Sequence, residues 1–372
     1  MRLMSLQSLR CRFASCLLTT CGVALGVTSV GAAELYGLTP GTVQLQSAGP
    51  MSFGPSGVLF IGDAKAAKVY ALNTEDTGTA GGAFDIADAD TRIMAAMGGK
   101  QVTIADMAVN PETGNVFVSG DAAGQPFIAK VTSGGEVEEL NLEKIGHATA
   151  SLPNPPEDKV VKMGRRSKNP RAEAITDVAY MGGRVLISGL SAADSPSSVI
   201  EFDFPFRESS EAIQVEIFHA AHGRDEDTAA IQTFIPFNID GEPSLLAGYT
   251  CTPLVKIPVK KLGDTSKVRG TTVAELGNRN KPLDMIAYRQ GGKDYLLMAN
   301  SARGVMKIST DDLAANDGLT EPVSGGGTAG QPYETIESLD GVVQLDKASE
   351  TTAIVMVQNS DQSLSLRTID LP

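Results

Sequence analysis

The stretch IADMAVNPETGNVFVSGD, Ile104 to Asp121, joins a short apolar strand, a Pro/Gly/Asn turn and a second apolar strand that ends on small residues. Pro and Gly-Asn pre-set a tight turn, and the β-branched and aromatic residues around it favour extended backbone. The phrase recurs as PMSFGPSGVLFIGD from Pro50, ITDVAYMGGRVLISGL from Ile175, IQTFIPFNIDGEPSLLAGY from Ile231, LDMIAYRQGGKDYLLMANS from Leu283 and GVVQLDKASETTAIVMVQN from Gly341. The starts lie roughly 50 to 70 residues apart, the period of a four-stranded propeller blade with its loops. The pattern predicts an all-β chain folded as a six-bladed β-propeller of four-stranded antiparallel blades.

Each first strand is expected to be innermost. The second, apolar on both faces, is expected to be buried between neighbouring blades. Third strands are expected at Lys68–Leu72, Phe127–Val131, Val199–Phe204, Leu254–Val259, Val305–Ile308 and Leu364–Ile369, and the clearest fourth strands at Val137–Leu142, Ala212–Phe218 and Thr271–Leu276. The last copy reaches Pro372 after its third strand, whereas TVQLQS, residues 42–47, is left over ahead of the first. This N-terminal strand is expected to complete the last blade, closing the ring and removing its open edges.

Residues 1–33 carry Arg2, Arg10 and Arg12, an uncharged run from Phe13 to Val30, and Gly31-Ala32-Ala33 ahead of Glu34. This reads as a secretory signal peptide, with residues 34–372 as one propeller domain exported to the periplasm or the cell exterior. An N-terminal membrane anchor is the alternative, but the run is rich in Ser, Thr and Gly for one. After signal cleavage no membrane span is expected. Cys11, Cys16 and Cys21 fall in the leader, so Cys251 alone remains and makes no intrachain disulfide. Losing three arginines and no acid moves the net charge from −13 to −16. Such an acidic protein repels nucleic acid and anionic lipid, and a monomer is expected.

In a propeller, the links from strand two to strand three and from strand four to the next blade share one face, here called the top. Asp106, Asp177 and Asp284 are register-equivalent at the top ends of innermost strands. Pointing into the channel, they could hold a divalent cation such as Ca²⁺, the one cofactor the sequence suggests. Alternatively, each caps backbone N–H groups in its own blade. His147, His219 and His222 precede innermost strands and are expected in top-face loops as candidate catalytic bases. The last two also lie near Asp225, Glu226 and Asp227 as a candidate Zn²⁺ pair; plain surface histidines are the other reading. The insertion 147–172 holds the one basic cluster, with Lys159, Lys162, Arg165, Arg166, Lys168 and Arg171. It reads either as a ligand- or partner-docking loop, with Arg165, Arg166 and Lys168 in contact, or as a solvated loop that pairs with its own acidic surface.

Gly325, Gly327 and Gly330 imitate a dinucleotide motif but follow no strand, and Asp85, Asp88 and Asp90 lack the Gly and closing Glu of a Ca²⁺ loop. Haem, Walker A, serine-elbow and paired-cysteine motifs are missing. So is Trp, which argues against tryptophan-docked blades.

IADMAVNPETGNVFVSGDAAGQPFIAKV and PMSFGPSGVLFIGDAKAAKVYAL resemble blades of the NHL-repeat, YVTN-type and gluconolactonase-like propellers. The resemblance is at the level of the fold and covers nearly all of residues 34–372. Its lactonase-like members imply a channel metal on Glu, Asn and Asp that activates water or an ester, which would place Asp106, Asp177 and Asp284 near such a site. Two functions follow as expectations. The leading one is an exported scaffold binding a small-molecule ligand or a partner protein through its top loops; the alternative is a metal-dependent hydrolase or lactonase.

Overall fold

In the computed structural model, residues 36–79, 81–163, 166–207, 211–262 and 266–372 are described. The expected signal peptide, its three cysteines and Arg165 lie outside the described residues. The chain forms six antiparallel blades. Their innermost strands are Met51–Phe53, Val102–Val109, Asp177–Met181, Ile231–Ile239, Pro282–Gln290 and Val342–Lys347, and the blades are numbered here by that order. All six expected third strands are present, from Lys68–Asn73 to Leu364–Asp370. The second strand of blade 1 is buried throughout, with Val58, Leu59, Phe60 and Ile61 each at 0% exposure, and the other second strands are buried along their middles. Burying one such side chain stabilises the fold by about 1.5–3 kcal/mol.

The small residue that ends the second strand has a steric cause. A Cβ on Gly120 would lie 2.2 Å from the Thr103 carbonyl oxygen, and one on Gly189 would lie 2.2 Å from that of Ala174. At these points the second strand touches the backbone entering the innermost strand, leaving no room for a side chain.

The blades do not follow one another around the ring in chain order. Leu59 and Ile61 of blade 1 pack against Ala108 and Phe117 of blade 2, while Phe60 and Val69 on the other face of blade 1 pack against Ile175 and Val185 of blade 3. Three further apolar seams join blade 3 to 4, 4 to 5, and 5 to 6. The ring closes where Ile354 and Met356 of blade 6 meet Val116 and Val118 of blade 2. The order around the axis is therefore 2, 1, 3, 4, 5, 6. The chain lays down three strands of blade 1, leaves to build all of blade 2, and returns with Ile145–Ser151 as the fourth strand of blade 1, on whose outer side Thr39–Gly41 pairs. It then enters blade 3.

Closure also differs from expectation in its residues. An early strand does complete blade 6, but it is Asp85–Ile86, paired with Leu366 and Arg367. Residues 42–47 form no strand. Val43 donates its N–H to the Leu142 carbonyl and packs in the seam between blades 1 and 2. The Asp63 carboxylate accepts the N–H groups of Gln46 at 2.7 Å and Ser47 at 3.0 Å, which binds the segment to blade 1. The alternation of Val43 and Leu45 marks burial correctly, but the backbone groups beside them bond elsewhere.

Candidate functional site

Asp106, Asp177 and Asp284 converge, as the register predicts, on a central opening of about 300 Å³. Asp346 joins them. The register position in blade 6 is held by Gln344, which pairs with Met356 as Asp106 pairs with Ser119. With its amide nitrogen turned to the acids, Gln344 donates to Asp106 Oδ1 and Asp284 Oδ2, both at 2.9 Å. Asp346 stands two residues further along, which hides it from a simple alignment of the copies.

All four carboxylates do one job. Each accepts the N–H of its own following residue: Val178, Met285 and Lys347 donate at 2.7 Å to Asp177, Asp284 and Asp346, and Met107 donates to Asp106. Each also accepts an N–H from the next blade. Met51 donates to Asp106 at 2.6 Å, Phe234 to Asp177 at 2.7 Å, Leu345 to Asp284 at 2.8 Å and Val109 to Asp346 at 2.7 Å. The carboxylates thus pin blade 2 to 1, 3 to 4, 5 to 6 and 6 to 2, following the seam order found from packing. Burial raises the pKa of Asp177 and of Asp346 to about 6. Asp106 and Asp284 are pushed well above the usual carboxylate range, first by burial and then by the charge of Asp177 and of Asp106 respectively.

A second titratable group sits at the end of Ala212–His219, the fourth strand of blade 3. The chain turns through Ala220–Gly223, with the His222 N–H on the His219 carbonyl at 3.0 Å and Gly223 at φ +63°. This turn brings the two imidazoles to 3.9 Å between ring centroids. Glu226, on the returning strand Arg224–Glu226, takes His219 Nδ1 on one oxygen at 2.8 Å and His222 Nδ1 on the other at 2.9 Å. Arg224 Nε donates to it at 2.9 Å. Of the acids expected near this pair, only Glu226 belongs to the group; Asp225 pairs with Arg269 and Asp227 with Lys267. Burial would raise the pKa of Glu226, but hydrogen bonds from His219, Arg224 and His222 hold it below its ordinary value. Burial lowers that of His219.

Glu275, on Thr271–Leu276, the fourth strand of blade 4, was not foreseen. It is fully buried, and its Oε2 accepts the Ala221 N–H at 3.1 Å, inside the turn that carries both histidines. Burial raises its pKa to about 7 against the pull of that bond. Its Oε1 and the Nε2 of His219 are both buried without a hydrogen-bond partner. The sequence clue is an acid in an otherwise apolar run, Val273-Ala274-Glu275-Leu276.

His147 lies elsewhere. It is not in a top-face loop but inside the fourth strand of blade 1, paired with Thr39, with Nδ1 on the Ile145 carbonyl at 3.1 Å. The basic insertion forms a separate two-stranded sheet, Val161–Met163 with Arg166–Lys168. Arg171 anchors its base, donating from Nε to the Pro156 carbonyl at 2.6 Å and from Nη1 to that of Lys65 at 3.0 Å. Lys159 pairs with Glu157 and Lys168 with Glu173. Among the described residues, no helix is long and apolar enough to cross a membrane.

No family model matches the chain, and no curated protein matches it. Several solved propellers are similar in shape. The PQQ-bound aldose sugar dehydrogenase of Streptomyces coelicolor is 10% identical over 89% of this chain and 96% of its own, with a TM-score of 0.34. The full extracellular region of plexin A4 is 9% identical over 90% of this chain and 40% of its own, with a TM-score of 0.43. A catalytically inactive virginiamycin B lyase from Staphylococcus aureus, with quinupristin, is 12% identical over 89% of this chain and 87% of its own, with a TM-score of 0.27.

Proposed function

We propose that this chain is an exported binding scaffold, a rigid ring that meets a small ligand or a partner protein on its top face. The observation that carries this reading is the hairpin within residues 147–172. It pairs with no blade, although a two-stranded hairpin is only marginally stable in water, and its outer edges are open to strand addition by a bound partner. Val160 beside it is 70% exposed, and the sequence of this segment carries Lys159, Lys162, Arg166 and Lys168. Arg165, Arg166 and Lys168 are the proposed ligand contacts, and an acidic or anionic strand is the occupant they favour.

A photo-crosslinking residue at Val160 tests this in extracts of the producing cell, with Asp240, on the opposite face, as control. A discrete adduct at Val160, absent at Asp240 and lost when residues 158–168 are replaced by a short Gly-Ser link, is expected. Equal labelling at both positions, or none, would contradict it.

One observation favours a metal-dependent hydrolase or lactonase instead: carboxylates of raised pKa converge on an open channel, where a cation on Asp106, Asp177 and Asp284 would relieve their repulsion. Chelator-sensitive turnover of a lactone and ester panel would decide for this reading.

A further inference from the structure

The turn after the fourth strand of blade 3 holds what the channel lacks: nitrogen and oxygen donors close together, with buried polar atoms left over. Among the described residues, His219, His222 and Glu226 are the group of three whose ligand atoms all lie within 4.8 Å of one another. We propose that these three side chains form a binding site for a borderline divalent transition metal ion of the Zn²⁺ class, independent of the binding scaffold proposed above.

Four observations carry this. The donor set is two imidazoles and one carboxylate, which suits Zn²⁺ and its neighbours and not a hard cation such as Ca²⁺, whose sites are built from oxygen. The geometry is already gathered, because both Nδ1 atoms face the two oxygens of one carboxylate at 2.8 and 2.9 Å, and a short turn fixes the imidazoles side by side. An ion entering between them replaces two hydrogen bonds with metal bonds. Both Nδ1 protons leave those atoms: each ring stays neutral by carrying its one proton on Nε2 instead.

The third observation is His219 itself, 3% exposed, so a metal bond at its Nδ1 forms away from competing water. The fourth is Glu275, fully buried, with Oε2 on the Ala221 N–H inside the turn that carries both histidines and with Oε1 unpartnered. Three protein ligands leave a fourth position open, and His222, 44% exposed, places that position toward solvent. Arg224 Nε holds Glu226 in the metal-free arrangement, but its side chain is 72% exposed and can swing away.

Isothermal titration of the purified, tag-free protein with Zn²⁺, and with Ca²⁺ as control, tests the site. The wild type is expected to bind one Zn²⁺ per chain and no Ca²⁺ at this site, and Co²⁺ is expected to give the intense visible absorption of a low-coordinate ion. His222→Ala removes a half-exposed ligand without touching the core and is expected to weaken Zn²⁺ at least about tenfold. The His222→Ala/Glu226→Gln double variant is expected to abolish the Co²⁺ spectrum, with circular dichroism unchanged. A smaller loss in the single variant, a Co²⁺ spectrum retained in the double variant, or no Zn²⁺ bound by the wild type would overturn the proposal.

Discussion

The channel and the blade 3 turn both gather acids in a buried setting, yet they treat them in opposite ways. Around the axis, each aspartate takes one N–H from its own strand and one from the next blade, so its charge is shared among backbone dipoles and its position is fixed twice. At the turn, Glu226 is held by two imidazoles and an arginine, while His219 Nε2 and Glu275 Oε1 have no partner. A satisfied buried acid is explained by architecture. A buried polar atom left unsatisfied asks for a ligand.

The sharpest way to break this contrast is to remove a clasp. Asp106→Ala leaves the Met51 and Met107 N–H groups without acceptors, at about 1–3 kcal/mol for each donor. Chemical denaturation should show a loss larger than at any other polar position discussed here, and a change within error would mean the carboxylate is not structural. Next in size is closure. Ile86 is buried where blade 6 meets blade 2, so Ile86→Ala should cost about 2–4 kcal/mol. Val43→Ala removes two methyls from a seam that does not close the ring, and its cost should be smaller.

The third test is pH. Asp177 and Asp346 hold their protons more tightly folded than unfolded, with pKa values of about 6 against about 3.9 for a free Asp. Protonation therefore favours the folded state, and stability should rise as the pH falls from 7 through 6 toward 5. Asp177→Asn should flatten that rise in thermal melts at several pH values. An unchanged slope would remove Asp177 as a cause. The smallest effect belongs to the turn: His222→Ala without metal should shift stability by no more than about 0.5 kcal/mol, because the ring is half-exposed.

Strand placement was legible because burial and turn chemistry are local. Ile104–Asp121 states its own hairpin, and Gly120 its own close contact. Blade order was not legible, because nothing near Asn73 or Glu139 says whether the next strand joins the same blade or crosses to another. The seams that decide it join residues far apart in the chain, such as Val118 and Ile354. The three channel aspartates were readable by register, but Asp346 was not, since Gln344 occupies its place. The His219/His222 pair was visible as a motif and Glu226 as one of three nearby acids. Glu275 was hidden, because it reaches the turn from a separate blade. His147 was misplaced because a fourth strand of blade 1 was not expected to arrive after blade 2.

Native-state hydrogen exchange at the amides of Met51, Val109, Phe234 and Leu345 tests the central claim, that acids on one blade lock the backbone of the next at the 2–1, 3–4, 5–6 and 6–2 seams. All four amides should exchange only through global unfolding, and that of Met51 should lose its protection in Asp106→Ala. Exchange at loop-like rates in the wild type would contradict both the clasps and the ring order drawn from them.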